Sequence, residues 1–324
     1  MQKIITYISI IEEAIKANKQ KQEPAKLYEP IAYTLALGGK RIRPALLLLA
    51  NNLFGGEDED ALDAALAIEV FHNFTLVHDD IMDDAPLRRG KPSVYNKWNT
   101  NVAILSGDVM LMQSVQLLAK KNHNNLHEVL SLFNTTAIEV CEGQQMDMDF
   151  ETSSTISIDD YLKMIELKTA VLLAASLKIG ALLSNASKED SKHIYEFGKN
   201  LGIAFQLMDD VLDLYGDPTK VGKRVGGDVI ANKKTYLLLK AQELAAGKVA
   251  KDLDFCLTSK VIDDNTKVER VTAIFNTLNI KKIAIDEMNL FYNSAISHLD
   301  SVEAPPEKKQ VFENFAKSLM QREK

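Results

Sequence analysis

The sequence predicts an all-α chain organised as a single domain over residues 1–324. Three observations carry that expectation. Apolar residues recur at helical spacing almost from end to end. No alternating strand pattern of useful length interrupts them. Neither a low-complexity tract nor a Gly/Ser linker marks an internal boundary. With 324 residues and 46% apolar content the chain can build a substantial core, because a fold of this size hides about 75% of its chain surface.

Residues 2–18 open the series, their apolar positions interleaved with Glu12, Glu13 and Lys16. That pattern suits an amphipathic helix and lacks the unbroken apolar core of a secretory leader. Residues 25–37 form the second segment and stop at Gly38-Gly39; residues 43–53 form the third and stop at Gly55-Gly56. The apolar stretch 44–50 is too short to span a bilayer. Helical spacing resumes over 60–83, 100–121, 125–149 and 157–183, the last carrying Lys178 within its apolar half, which argues against a membrane span. Residues 188–215 run to the break Gly216-Asp217-Pro218. Segments 233–246, 250–258, 265–277 and 280–299 follow, and Pro305-Pro306 opens the last, 305–321. The only cysteines, Cys141 and Cys256, have no metal-ligand spacing and read as buried thiols of a reducing compartment. A cytoplasmic protein without stable membrane insertion is expected. The net charge of −7 argues against a nucleic-acid partner.

Two of these segments end in the same acidic pattern, Asp79-Asp80-Ile81-Met82-Asp83 and Asp209-Asp210-Val211-Leu212-Asp213. On a helix, residues four apart share a face, so Asp79 with Asp83 and Asp209 with Asp213 each present two carboxylates in one direction. Asp80 and Asp210 lie about 100° round the axis and suit supporting roles. An acidic run on a helix is usually a solvated face. Here Leu76, Val77, Phe205 and Leu207 precede the motifs, and carboxylates set in apolar helices are costly to bury unless paired or metal-bound. Hard oxygen pairs suit Mg²⁺ that keeps waters and binds substrate phosphates.

Cations cluster beside the acids. Arg88-Arg89-Gly90-Lys91 follows the first motif in an expected loop, Lys223-Arg224 and Lys233-Lys234 follow the second, and Lys40, Arg41 and Arg43 stand in the turn before a helix. Arginine forks match phosphate oxygens and lysine supplies a mobile point charge. Taken singly, Arg41, Lys91, Arg224 and Lys234 read as ordinary surface cations. As a set they suggest two phosphate sites, one bridged by metal and one gripped by cations directly.

These stretches resemble the trans-isoprenyl diphosphate synthases, the polyprenyl synthetases that elongate allylic diphosphates with isopentenyl diphosphate. The resemblance runs in order from Gly38-Gly39-Lys40-Arg41-Ile42-Arg43-Pro44 through Leu76–Asp83, Leu87-Arg88-Arg89-Gly90 and Lys168-Thr169 to Phe205–Asp213 and Gly222-Lys223. It implies a helical bundle of the isoprenoid synthase type with a central cavity, a homodimer, and three Mg²⁺ ions when diphosphate is bound. By the same resemblance Asp79, Asp83 and Asp209 look like direct Mg²⁺ ligands, with Asp80, Asp210 and Asp213 supporting them through waters. Arg88, Lys168, Lys223 and Lys233 resemble the grip on the allylic diphosphate, with Lys234 an alternative to Lys233 and Thr169 a further substrate-binding residue. Lys40, Arg43, His72 and Arg89 resemble the grip on isopentenyl diphosphate, with Gln206 beside it and Phe205 close to the reacting carbons. Gln144 and Asp147 match a sequence lining the same cavity.

Counting back from Asp79, Phe74 and Phe71 lie about 7.5 and 12 Å down the helix axis at 1.5 Å per residue. Two phenylalanines three apart are normally core. The position five before the motif is where the family sets product length, and Phe74 there with a small Thr75 resembles C20 synthases, with C15 the nearest alternative. Three other readings compete. A terpene cyclase shares the first motif but has a differently spaced second metal site. A His-Asp metallophosphohydrolase, suggested by His78-Asp79, leaves the second motif unexplained. A non-catalytic partner subunit would keep the fold, though such subunits typically lose site residues that this chain retains.

Overall fold

The computed structural model describes residues 2–17, 22–121, 123–153, 155–216, 225–259 and 261–321. In chain order the helices are α1 (Gln2–Ala17), α2 (Ala25–Ala36), α3 (Ile42–Leu53) and α4 (Asp58–Met82), then α5 (Val94–Lys97), α6 (Thr100–Leu118), α7 (Leu126–Thr152) and α8 (Ile158–Ile165). A π-helical turn (Glu166–Ala170) leads into α9 (Val171–Leu183) and α10 (Lys188–Tyr215). The series closes with α11 (Gly227–Ile230), α12 (Tyr236–Leu244), α13 (Gly247–Thr258), α14 (Asp264–Thr277), α15 (Ile280–Asp300) and α16 (Pro306–Met320). Among the described residues the sole β-structure is a hairpin of β1 (Leu87–Arg88) and β2 (Lys91–Pro92). The all-α expectation holds.

The chain divides into two compact units: Met1–Asn134 with Ala175–Ile194 and Glu303–Lys308, and Thr135–Ala174 with Tyr195–Val302 and Lys309–Lys324. In the first unit α4 packs most extensively against α6 and α3. Its unbroken buried run from Ala64 to Phe71 shows why: a helix apolar on nearly every side must be surrounded. Asp58, Glu59 and Asp60 fill its first turn, where the helix dipole favours negative charge. Glycines set two of the close approaches. A Cβ at Gly107 of α6 would lie 2.2 Å from the His78 ring, and one at Gly180 of α9 would lie 2.3 Å from the Leu47 carbonyl oxygen.

The second unit is built round Tyr161, Leu207, Leu237, Val271, Phe275 and Ala284, contributed by α8, α10, α12, α14 and α15. Ser157 and Asp160 close a reciprocal capping box at the start of α8. Thr235 caps α12 and Asp263 caps α14 through their side chains.

Four details differ from the sequence reading. Cys141 is exposed where a buried thiol is expected, while Cys256 is buried. The expected single helix 157–183 contains the π-helical turn, the expected segment 233–246 becomes helical only at Tyr236, and the cation-rich loop after α4 is the tight hairpin. Among the described residues one helix, α6, is long and apolar enough to cross a membrane by length and composition, and here it packs on α4, α2 and α5.

Candidate active site

The first acidic cluster sits where α4 ends. Met82 is the last helical residue and Asp83 its cap, yet the Asp83 N–H still donates to the Asp79 carbonyl at 2.9 Å. The four-residue spacing therefore survives past the helix end, leaving Asp79 half-buried and Asp83 exposed. Asp80 turns inward, 3% exposed. The Arg88 guanidinium donates to one Asp80 carboxylate oxygen through Nε (2.8 Å) and Nη2 (2.5 Å), and Nη2 lies 3.5 Å from Asp79. Burial pushes the Asp80 carboxyl up, opposed by Arg88. Burial works against the Arg88 charge as well, but Asp80, Asp79 and Asp83 more than restore it.

The hairpin places that arginine. Its register pairs Leu87 with Pro92 and Arg88 with Lys91, so Arg89 and Gly90 form a two-residue turn with φ of 54° and 74°. Positive φ at both positions is the turn geometry that suits the twist of a hairpin. Arg89 then reaches back and donates to the Gly38 carbonyl. At Gly39, φ is 146° and a Cβ would lie 2.9 Å from the Arg89 guanidinium, so the second glycine leaves room for it.

Lys40 is exposed in the same loop. Arg41 is not the surface cation the sequence suggested: at 2% exposure it is buried and ion-paired with Glu12 and Glu69. Arg43 Nη1 lies 3.4 Å from His72 Nε2, and its Nε has no hydrogen-bond partner among the described residues. Burial holds the His72 imidazole well below its usual range, and the charges of Arg43, Arg89, Arg88 and Arg41 push it the same way. His72 is thus a neutral ring among guanidiniums.

In the second unit the other acidic motif lies wholly within α10, with Asp209 exposed and Asp210 4% exposed. Asp210 accepts from the Tyr161 hydroxyl, from Gln206 Nε2 (3.3 Å) and from the Tyr236 N–H (3.4 Å). Its carboxyl is pushed up to about 7, chiefly by burial; Asp228 adds to the shift, while the Tyr161 and Gln206 bonds and the Lys233 charge oppose it. Asp213 accepts the Asp228 N–H at 3.0 Å, which folds the start of α11 back onto α10. Lys168 stands in the π-helical turn, 2.5 Å from Asp147 of α7, and Thr169 meets Gln206 at 3.5 Å. π-Turns occur often at functional positions because the extra residue re-aims its side chains. Phe205 is half-buried one turn before Asp209. Lys233 borders the same depression as Asp210, Asp213 and Asp228. Lys223 and Arg224 lie outside the described residues.

Phe71 and Phe74 are both buried in the first unit. Their rings are 5.5 Å apart, Phe71 meets Phe133 edge-on at 5.1 Å, and Phe74 meets His78 at 4.8 Å. Thr75 bonds the His72 carbonyl at 2.8 Å. His78 points to the Ile104 carbonyl at 3.2 Å, a packing role that gives no support to the hydrolase reading.

The family model for polyprenyl synthetase matches residues 24–278. The chain belongs to that family. A geranylgeranyl diphosphate synthase of Sulfolobus acidocaldarius is 38% identical over 303 residues, covering 91% of this chain and 90% of its own. A geranylfarnesyl diphosphate synthase of Natronomonas pharaonis is 38% identical over 252 residues, covering 72% and 74%. Among solved structures, a geranylgeranyl pyrophosphate synthase superposes with a TM-score of 0.94 at 41% identity over 99% of both chains. The fold is that of the isoprenoid synthases, and the synthetase is a prenyltransferase. The cyclase, hydrolase and non-catalytic readings fall away.

Mg²⁺-dependent catalysis is typical of the family. Among the described residues no three His, Cys, Asp or Glu side chains gather into a ready-made metal cage. The donor set nonetheless fits Mg²⁺, which takes one or two carboxylates and completes its shell with water and substrate phosphate. In this synthetase Asp80 and Asp210 are engaged by protein donors, while Asp79, Asp83 and Asp209 lie on the more exposed side of each motif.

The sequence reading missed Tyr161, Asp228 and the Arg41 network. Glu69 had left a signal, a lone charge inside Leu66-Ala67-Ile68-Glu69-Val70-Phe71. A charge in such a run needs a partner.

Proposed function

We propose that the chain is a geranylgeranyl (C20) diphosphate synthase acting as a single domain over residues 1–324, as a cytoplasmic homodimer. The underlying reaction is Mg²⁺-dependent head-to-tail condensation of isopentenyl diphosphate with an allylic diphosphate, giving a short-chain prenyl diphosphate and diphosphate. The gathering of Arg43, 3.4 Å from His72, and of Arg89, bonded to the Gly38 carbonyl beside Lys40, carries the two-substrate reading, because it concentrates positive potential without a metal. The decisive experiment incubates the purified protein with Mg²⁺, isopentenyl diphosphate and allylic primers of C5, C10 and C15, then sizes the product. A C15 or C25 product would overturn the C20 assignment.

In this reading Asp79, Asp83 and Asp209 ligate Mg²⁺, with Asp80, Asp210 and Asp213 in support and three ions present with diphosphate. Bound Mg²⁺ offsets negative charge on the leaving group. Arg88, Lys168, Lys223 and Lys233 hold the allylic diphosphate and take up charge as the C–O bond breaks. Lys233 is preferred to Lys234 because it borders Asp210 and Asp213 and its charge acts on Asp210. Lys40, Arg43, Arg89 and His72 hold isopentenyl diphosphate so that its double bond attacks the allylic carbon. The proton lost from the adduct passes to the released diphosphate. Phe205 and Gln206 flank the reacting carbons, and Thr169, Gln144 and Asp147 line the site. The homodimer is supported by α6, whose Ile104, Leu105 and Met112 are exposed together.

Lys40→Ala is expected to raise KM for isopentenyl diphosphate by about tenfold, the loss of one charge-assisted phosphate contact, with a smaller change for the allylic substrate. Equal losses in steady-state kinetics would sink the two-site division. Phe74→Ala is expected to lengthen the product by one or more C5 units, read by chromatography, at a stability cost of about 3–5 kcal/mol. An unchanged product would move the floor to Phe71.

A further inference from the structure

We propose that the buried Arg41–Glu69 ion pair, tied to Glu12, positions the isopentenyl diphosphate grip by fixing the loop that carries Lys40 and Arg43. The inference rests on the two-substrate reading above and adds residues that reading does not use. Arg41 stands between the two gripping cations in sequence, but each of its three guanidinium nitrogens is engaged within the protein. Nε donates to Glu12 at 2.7 Å, Nη1 to Glu69, and Nη2 to the Leu35 carbonyl at 2.6 Å. Its backbone is left-handed, φ 47° and ψ 31°, a conformation that non-glycine residues adopt only where surroundings impose it.

Glu69 is itself held. Asn73 Nδ2 donates to Glu69 Oε1 at 2.7 Å and to the Glu69 carbonyl at 2.8 Å. One turn of α4 therefore carries the carboxylate that anchors Arg41 and, at His72, the ring that meets Arg43. Arg89 closes the arrangement from the hairpin by bonding Gly38. With Glu69 neutralised, a buried guanidinium loses its main counter-charge and the loop must move to rehydrate it. Arg88 has a separate anchor in Asp80, so the allylic grip is insulated.

Glu69→Gln and Glu12→Gln test this with steady-state kinetics, calorimetric titration of isopentenyl diphosphate and thermal melts. Glu69→Gln is expected to raise both Kd and KM for isopentenyl diphosphate about tenfold. Glu12→Gln, whose side chain is 30% exposed, is expected to raise them about threefold. The allylic KM should stay within about twofold in both, an effect too small to signal a lost contact. Equal weakening of both substrates, or a lowered melting temperature with both constants unchanged, overturns the positioning role. If Glu69→Gln does not fold, Glu12→Gln at the rim decides alone. A wild-type protein that neither binds isopentenyl diphosphate nor condenses it would instead refute the two-substrate reading.

Discussion

Asp79→Ala is expected to lower kcat by about 10²–10³-fold or more, the range for removing one dedicated electrostatic stabiliser, while the helical circular-dichroism signal is retained. The fold should survive because Asp79 is only half-buried and Arg88 keeps its main partner in Asp80. Stability should even rise slightly. Asp79 and Asp80 lie in the last turn of α4 with Asp83 as its cap, and that turn contains no basic residue. Negative charge at a helix C-terminus opposes the helix dipole by about 0.3–1 kcal/mol. A melting temperature equal to or above wild type, together with lost turnover, is therefore the expected pair. Near-normal turnover would remove Asp79 from the metal assignment.

Gly143→Ala is expected to be the most damaging conservative substitution in the second unit. Alanine in a helix interior normally gains up to about 1 kcal/mol over glycine. Here the added Cβ would fall 2.3 Å from the Lys168 backbone nitrogen and 2.8 Å from both the Leu167 carbonyl carbon and the Lys168 Cα. These are main-chain atoms of the π-helical turn, which a rotamer change cannot relieve. Forced overpacking of this kind costs about 1–3 kcal/mol, so the net effect is destabilising. Lys168 must shift as well, away from Asp147 one turn along α7. A displacement near 1 Å in a positioned group costs about 10²-fold in rate. A thermal melt and kcat/KM for the allylic substrate check both halves, and unchanged values would show that α7 yields without disturbing the turn.

How far the chain was readable varied with the range of the interactions involved. The acidic motifs and the helical spacing that leads into each of them along α4 and α10 are local patterns, and the structure has them where the pattern placed them. The π-helical turn escaped because apolar periodicity over 157–183 is too coarse to register one extra residue in a turn. Arg41 was misread because Gly38-Gly39-Lys40-Arg41 looks like an exposed turn, while its counter-charges come from Glu12 on α1 and Glu69 on α4. Tyr161 was invisible for the same reason: a tyrosine in an amphipathic helix carries no mark of the distant Asp210 that its hydroxyl will meet.

The two-residue hairpin turn places Arg89 under opposed demands. Backbone geometry there favours glycine or asparagine, since φ is 54°. The proposed grip on isopentenyl diphosphate requires arginine, although burial and the nearby Arg41 and Arg88 charges work against its own. Selection for a stiffer chain and selection for positive charge thus act against each other at one codon. A thermostability screen blind to turnover would be drawn to this position, and in the proposed two-substrate reading the variants it harvests would melt later and bind isopentenyl diphosphate less tightly.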